Sequence, residues 1–510
     1  MSGQTVIHCA MLRGIEAIPI TVEASSSQGI PGITLVGNPD ISIMDARFRV
    51  RCALKSCGFS VPREHITISL APGDLKKSGA AFDLPIAIAI LSITKQMPQD
   101  NLSQCLFVGE LALDGSLCAT RGMLAYQKLA HDMGLQLVCS NDVQGTHIAE
   151  NTLLCSTLSE VAKGVTWMRS HCKPADSATF GICASVDTAD FSDVYDQEAA
   201  KRACIIAAAG NHGMLMIGPP GAGKTMLASR MPTILSPLGE SDLEEALLIA
   251  SVAGLPTEKL NAKRRPFRAP HHSISQAGMI GGGKPVLPGE ICLAHKGVLF
   301  LDELPEFANN VLQALRQPLE ERCVRLVRAE GTYVFPCDFM FLAAANPCPC
   351  GHLGDSGHAC ICPEPRIARY QSKLAGPLVD RIDICLDIAR PDPSKIVHAA
   401  SGLSSSEMRT QVEGALAFRL DRIREAKRRA TPALSEIKQS DSSTVVLQEW
   451  MAIKAQAQLE SIAQRLCLGG RAIKRLVRVA RTIADLEEHE NIEVSDVLEA
   501  CMVRNRGGAL

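Results

Sequence analysis

Apolar positions along the chain fall into two periods, and the change between them divides it. Up to about residue 170, short strand-like runs such as "HITISL" (65–70), "CLFVGELAL" (105–113) and "LQLVCS" (135–140) alternate with helical patterns at 44–57 and 84–95. This predicts a self-contained α/β domain over 1–170. Residues 171–193, rich in Ser, Ala, Thr and Asp without periodicity, predict a linker. Beyond it, "GMLMIG" (213–218) runs into a Gly-rich turn and an apolar helix. Further buried-strand patterns at 297–303, 339–346 and 383–388 predict one central sheet within 194–394. From 395 to 510 the pattern is helical, with helices predicted near 405–430, 443–465, 471–488 and 494–504. The fold class is therefore α/β multidomain with a helical lid.

Two stretches do not fit a plain core. Residues 255–296 are too long for a simple connection and rich in Gly, Pro and His, which predicts an insertion. In "RCVRLVRAEGTYVFPC" (322–337), alternating positions on either side of a Glu-Gly turn predict a β-hairpin.

Composition narrows the setting more than the activity. A formal charge of −2 argues against a uniformly basic coat, so any nucleic-acid contact must come from local patches. Twenty cysteines in a chain of 510 residues, without a basic-then-apolar leader, predict reduced thiols in the cytoplasm rather than a secreted disulfide scaffold. The longest apolar run, 84–93, is about half of what a bilayer demands, so no membrane span is expected.

The chemistry begins at "GPPGAGKT" (218–225), between a predicted strand and a predicted helix. That is the setting a Walker A loop needs: Gly218, Pro219, Pro220, Gly221, Ala222 and Gly223 let backbone N–H groups wrap phosphates at a helix N-terminus. Lys224 is then placed for the β- and γ-phosphates and Thr225 for Mg²⁺, which implies ATP as the ligand. The strand "VLFLDE" ends in adjacent acids, assigning Asp302 to Mg²⁺ and Glu303 to the attacking water. Asn346 ends the next strand, as a water-orienting group or as a turn residue.

This order of motifs, continued by "GPLVDRID" (376–383) and "GGRAIKRLVRVARTIADLE" (469–487), resembles an AAA+ ATPase. More narrowly, "RPFRAPHHSIS" (265–275), "PGEICLAHKGVLFLDELPEF" (288–307), "ANPCPCG" (345–351) and "RVARTIADLE" (478–487) resemble the magnesium-chelatase-related ComM/YifB family. The resemblance implies an ATP-hydrolysing homohexameric ring, with Arg381 as the finger offered to a neighbour's nucleotide and Arg471 as the lid's phosphate sensor. The alternative for Arg381 is an ion pair with Asp380 or Asp383, and for Arg471 a capping role in a basic stretch. It also implies a pore hairpin within 255–296, a helix-2-type insertion.

Residues 65–130 resemble the proteolytic domain of Lon, of the ribosomal S5 domain 2-like fold. The Ser/Lys dyad is missing, since Ala81 and Leu124 stand where the nucleophile and base belong, and Ser78 and Lys128 are out of register. A binding or ring-organising module is the expectation. Its basic residues Arg47, Arg49, Arg51, Lys55, Lys76 and Lys77 either touch nucleic acid or form a solvated face. His271 and His272 are expected to order their loop rather than bind metal.

The function implied by the resemblance is a motor on single-stranded and branched DNA, promoting branch migration and DNA integration in natural transformation or homologous recombination, with recombination proteins as further partners. The alternative is a magnesium-chelatase-type motor that remodels a protein–cofactor complex. Lys284, Arg325 and Arg328 are the candidate phosphate-backbone contacts, or else solvated hairpin residues. Finally, "CPCGHLGDSGHACIC" (348–362) holds two Cys-x-Cys pairs. Cys348, Cys350, Cys360 and Cys362 suit a structural Zn²⁺ site, with His352 and His358 as substitute ligands, or are four free thiols. The stretch between the pairs is too short for a groove-reading helix, which makes the cluster a candidate brace between Asn346 and Arg381.

Overall fold

A computed structural model describes residues 4–61, 63–142, 149–172, 189–355, 357–374, 378–397, 402–428 and 450–504. Most of the predicted linker, 173–188, and the start of the predicted helix at 443–465 lie outside the described residues.

The N-terminal part is a mixed seven-stranded sheet in the order Gly32–Val36, His65–Ala71, Glu16–Ser27, Gln4–Arg13, Cys105–Phe107, Gln136–Ser140, Thr152–Cys155. In His65–Ala71 the period of two sends Ile66, Ile68 and Leu70 inward. From Leu84 to Leu91 the helix Asp83–Ile93 is apolar on every face, and residues Asp83 to Ser92 are buried, as a helix enclosed by its own domain must be. Its first residue, Asp83, is fully buried and neutralised by Arg49, whose Nε and Nη2 reach the two carboxylate oxygens at 2.7 and 2.8 Å.

That pairing corrects part of the reading of the basic residues as a nucleic-acid face or a solvated one. Arg49 is committed to Asp83. Lys77 is fully buried and donates to the carbonyls of Gly37 and Pro72, while Lys76 pairs with Glu330 at 3.1 Å. The ammonium of Lys77 has its pKa lowered by burial, against Asp74.

The second part is built on five parallel strands in the order Phe267–Arg268, Val298–Leu301, Met340–Ala345, Met214–Ile217, Ile384–Asp387. Successive residues face opposite layers. Met214 and Met216 join a core that runs from Phe191 to Val503, whereas Leu215 and Ile217 join a second one with Leu299, Phe335 and Phe341. The first core includes Val412, Ala415, Leu476, Ile483 and Val497 of the C-terminal helices Ser405–Arg428, Gly470–Leu486 and Val494–Met502. Lid and ATPase layer thus share one hydrophobic interior.

The stretch 255–296 is more than an insertion, because its Phe267–Arg268 supplies the edge strand of the main sheet. A two-residue strand carries no readable period. The remainder forms the short helix Gln276–Ile280 and a tight hairpin pairing Gly281–Gly282 with Leu287–Pro288. The predicted hairpin 322–337 forms as Cys323–Arg328 against Gly331–Pro336. Among the described residues no helix is long and apolar enough to cross a membrane.

Candidate functional site

The site lies at the carboxyl ends of three neighbouring strands, where open parallel sheets hold ligands. Met214–Ile217 leads into the loop 218–223, Val298–Leu301 into Asp302, and Met340–Ala345 into Asn346. Register fixes their mutual position: Ile217 lies beside Ala345, and Leu301 beside Ala343. Gly223 caps the helix Lys224–Ile234 at φ +89°, a left-handed geometry that a side chain would strain.

Lys224 is 8% exposed and donates to Gly218 O at 2.7 Å, Pro219 O at 3.0 Å and Asn346 Oδ1 at 3.2 Å. Burial lowers its pKa, opposed by Asp302 and Glu303. Thr225 Oγ1 donates to Asp302 Oδ2 at 2.7 Å, which places side by side the hydroxyl and carboxylate oxygens a hard cation takes. Glu303 sits at φ +51°, a strained setting for a residue with a side chain, and its N–H donates to Asp302 Oδ1 at 2.9 Å. The acids therefore diverge, one toward Thr225 and one away. The residues fit a magnesium nucleotide: the lysine is buried among loop carbonyls and the oxygen pair is already assembled.

Sequence reasoning did not find the partner of Glu303. His272 Nδ1 lies 3.6 Å from Glu303 Oε2, while His271 Nδ1 engages Ser273 Oγ at 2.8 Å. One histidine orders its own loop, as expected, and the other faces the carboxylate. The adjacent His-His pair was the only signal, and nothing in it identifies the partner.

The two arginines occupy different surroundings. Arg381 is held by Glu320 at 2.6 Å, and Asp383, one of the two acids considered from sequence, pairs with His212 at 3.0 Å and Arg478 at 2.8 Å. Arg471 is exposed on the first turn of Gly470–Leu486. His212 also reaches Thr482 Oγ1 at 2.8 Å, so one buried polar chain ties the start of the central strand, the segment after Arg381 and the lid helix.

The two hairpins converge. A Cβ at Gly282 would meet Arg328 Nη2 at 3.2 Å, and one at Gly281 would meet Leu326 Cδ1 at 3.4 Å. Lys284 is exposed at the tip of its hairpin, and Arg325 pairs loosely with Glu321 at 3.6 Å. The N-terminal sheet holds the far side of the larger hairpin through Lys76 to Glu330 and Arg13 Nε to Thr332 O at 3.2 Å. It also reaches the helix Glu240–Ala253: Gly122 N donates to Ser251 O at 2.9 Å and Leu124 N to Ser251 Oγ at 3.3 Å. Lys128 and Glu244 pair there as well, at 2.6 Å. Leu124 and Lys128 thus stand at a domain contact.

The four thiols of Cys348, Cys350, Cys360 and Cys362 lie within 4.8 Å of one another, with Sγ separations of 3.3, 3.5 and 3.6 Å among the first three. A Zn–S bond of about 2.3 Å implies a tetrahedral edge of about 3.8 Å, so the donor set fits that metal. His352 and His358 instead converge with Asp355, at 3.0 and 3.9 Å.

A phosphate loop, a strand-end Asp-Glu pair and a strand-end Asn on a parallel sheet covered by helices define an AAA-type ATPase core. The chain belongs to the magnesium chelatase ChlI family: residues 190–396 match "Magnesium chelatase, subunit ChlI", 22–142 "Subunit ChlI of Mg-chelatase" and 402–504 "Magnesium chelatase, subunit ChlI C-terminal". It is 38% identical to the uncharacterized protein YifB of Escherichia coli over 515 residues, covering 98% of this chain and 97% of that protein. It is 37% identical to the competence protein ComM of Haemophilus influenzae over 508 residues, covering 97% and 96%. To the uncharacterized protein Rv2897c of Mycobacterium tuberculosis it is 35% identical over 509 residues, covering 97% of each.

Proposed function

We propose that this ATPase is the protomer of a homohexameric motor acting on single-stranded and branched DNA, driving branch migration during transformation or recombination. The observation that carries the reading is similarity to a competence protein along 97% of the chain. The converging hairpins with Lys284 and Arg328 suit backbone-phosphate contact without sequence preference. ATP would supply the electrophilic γ-phosphoryl group, and Mg²⁺ would neutralise the charge that develops on its phosphate oxygens. Lys224 binds the phosphates, Thr225 and Asp302 hold the metal, Glu303 takes the proton of the attacking water, and Asn346 orients that water. In the ring, Arg381 exchanges Glu320 for the neighbouring subunit's nucleotide, and Arg471 serves from the lid. The cysteine cluster holds a structural Zn²⁺ that stiffens the loop behind Asn346.

The test is purified protein with ATP and Mg²⁺ on a labelled three- or four-strand junction. The reading requires ATP-dependent release of product strands; no release, together with an ATPase rate indifferent to single-stranded DNA, overturns it. A second reading, a chelatase-type motor remodelling a protein–cofactor complex, draws on the family match over 190–396. It requires ATPase stimulation by a protein partner and none by DNA.

A further inference from the structure

At the strand ends opposite the nucleotide loop, the ATPase layer and the lid flank a cavity of about 670 Å³ that opens to solvent. Its position follows from its lining: Asn211 and His212 precede the central strand, Gly297 precedes Val298–Leu301, and Met340 opens the next strand. The volume suits a ligand of nucleotide size.

The cavity is out of charge balance. Seven Lys or Arg side chains line it against three Asp. On the ATPase wall the balance is nearly kept, since Lys296 pairs with Asp242 and Asp338 at 3.2 and 3.1 Å, and Arg322 with Asp338 at 3.5 Å. On the lid wall it is not. Arg419, Arg422 and Arg481 all converge on one fully buried carboxylate, Asp485, at 3.0, 3.1 and 3.1 Å. Three guanidinium groups on one carboxylate leave two positive charges on this wall, which a further anion would offset.

Hydrogen bonding shows the same deficit. Arg422 is 8% exposed, stacks over Trp450 at 4.2 Å, and spends Nε and Nη2 on Asp485, yet its buried Nη1 has no partner among the described residues. Across the cleft the buried hydroxyl of Ser236 is also without a partner among the described residues. Buried polar groups are nearly always satisfied, so two open donors on one cationic cavity suit a group with oxygen acceptors. Burial lowers the pKa of Arg422 and of Arg265, which lines the ATPase wall.

We infer that this cavity is an anion site for a phosphate group, separate from the ATP site and seated between core and lid on Arg422 and its neighbours. Planar guanidinium forks match phosphate oxygens two at a time, and the open Nη1 is the donor such a group would take up. The inference stands independently of the DNA reading, because the phosphate could belong to a free nucleotide or polyphosphate or to a nucleic-acid backbone. Bound there, it would neutralise the lid wall and draw it toward Arg265.

The test uses full-length protein carrying Lys224→Ala, so that the nucleotide loop does not contribute. Inorganic pyrophosphate is titrated calorimetrically, and a labelled single-stranded oligonucleotide is followed by anisotropy. At least one probe is expected to bind, and Arg422→Gln is expected to weaken it about tenfold or more, the worth of a charged hydrogen bond. Arg265→Gln, on the opposite wall, provides a second variant should the first fail to fold, as a melting scan would show. Pyrophosphate binding that the oligonucleotide does not displace assigns a free phosphate ligand. Displacement, or oligonucleotide binding alone that Arg422→Gln weakens, assigns a nucleic-acid backbone. Absence of binding by both probes, or binding untouched by both substitutions, overturns the site.

Discussion

Gly351 lies against Pro220, so close that a Cβ at 351 would stand 2.7 Å from the proline Cδ. The loop carrying the four cysteines therefore braces the phosphate loop of its own subunit. Gly351 also has φ +85°, where any side chain is strained. Gly351→Ala is expected to cost about 1–3 kcal/mol locally, and because the proline must yield, the loss should appear mainly as a raised KM for ATP. A melting point lowered with unchanged KM would contradict the brace.

The zinc reading predicts about one zinc per chain by metal analysis, released by chelation and lost in Cys348→Ser and Cys360→Ser. Cys348 is the buried member, so its loss should also lower ATP turnover. Purified protein without stoichiometric zinc would leave four free thiols.

Glu303→Gln is expected to bind ATP normally and to lower turnover by about 10²–10⁴-fold, the usual worth of a general base. His272→Ala should cost less, about tenfold, because it removes only a group that positions the carboxylate. Equal losses in the two variants would show that the histidine acts on the reacting atoms itself.

Acid sensitivity follows from two buried histidines. Burial lowers the pKa of His212, opposed by Asp383, and Arg478 already supplies the positive charge that Asp383 needs. Burial likewise lowers His295, opposed by Glu245. A histidine held neutral in the fold is protonated sooner in the unfolded chain, so stability falls as pH drops below about 6.5, by up to about 1.4 kcal/mol per unit for each proton. Asp383, lowered by His212 and Arg478 against burial, extends the loss toward lower pH. Melting scans from pH 8 to 5 should show this slope, and His212→Gln should flatten part of it; an unchanged slope would contradict the assignment.

Asp83→Ala leaves Arg49 unpaired at the heart of the N-terminal domain. Because Arg49 retains some contact with water, the expected cost is near the low end for a broken buried pair, about 3 kcal/mol. The midpoint of denaturant unfolding reports it; a change below about 1 kcal/mol would mean that the pair is structurally idle.

What could be read in advance was local. The strands at 65–70 and 340–345, the phosphate loop and the hairpin at 322–337 follow from periods and turn residues a few positions apart. The pairings that complete them do not. Lys76 meets Glu330 across 254 positions, His212 meets Thr482 across 270, and Arg381 meets Glu320 across 61. None has a periodic signature, because tertiary geometry alone chooses the partner. Lys77 shows the same limit, since a lysine buried on backbone carbonyls looks in sequence like any member of a basic run.

The N-terminal domain touches the ATPase layer at the turn of the larger hairpin and along the helix Glu240–Ala253, and Leu12 and Ile15 pack into the core between them. A body that grips two neighbours at once transmits strain from one to the other. A displacement of the hairpin relative to that helix must therefore carry the domain with it or break one of these contacts. The N-terminal sheet thus acts as a strut between hairpin and helix, a task for which neither a serine nor a lysine base is required.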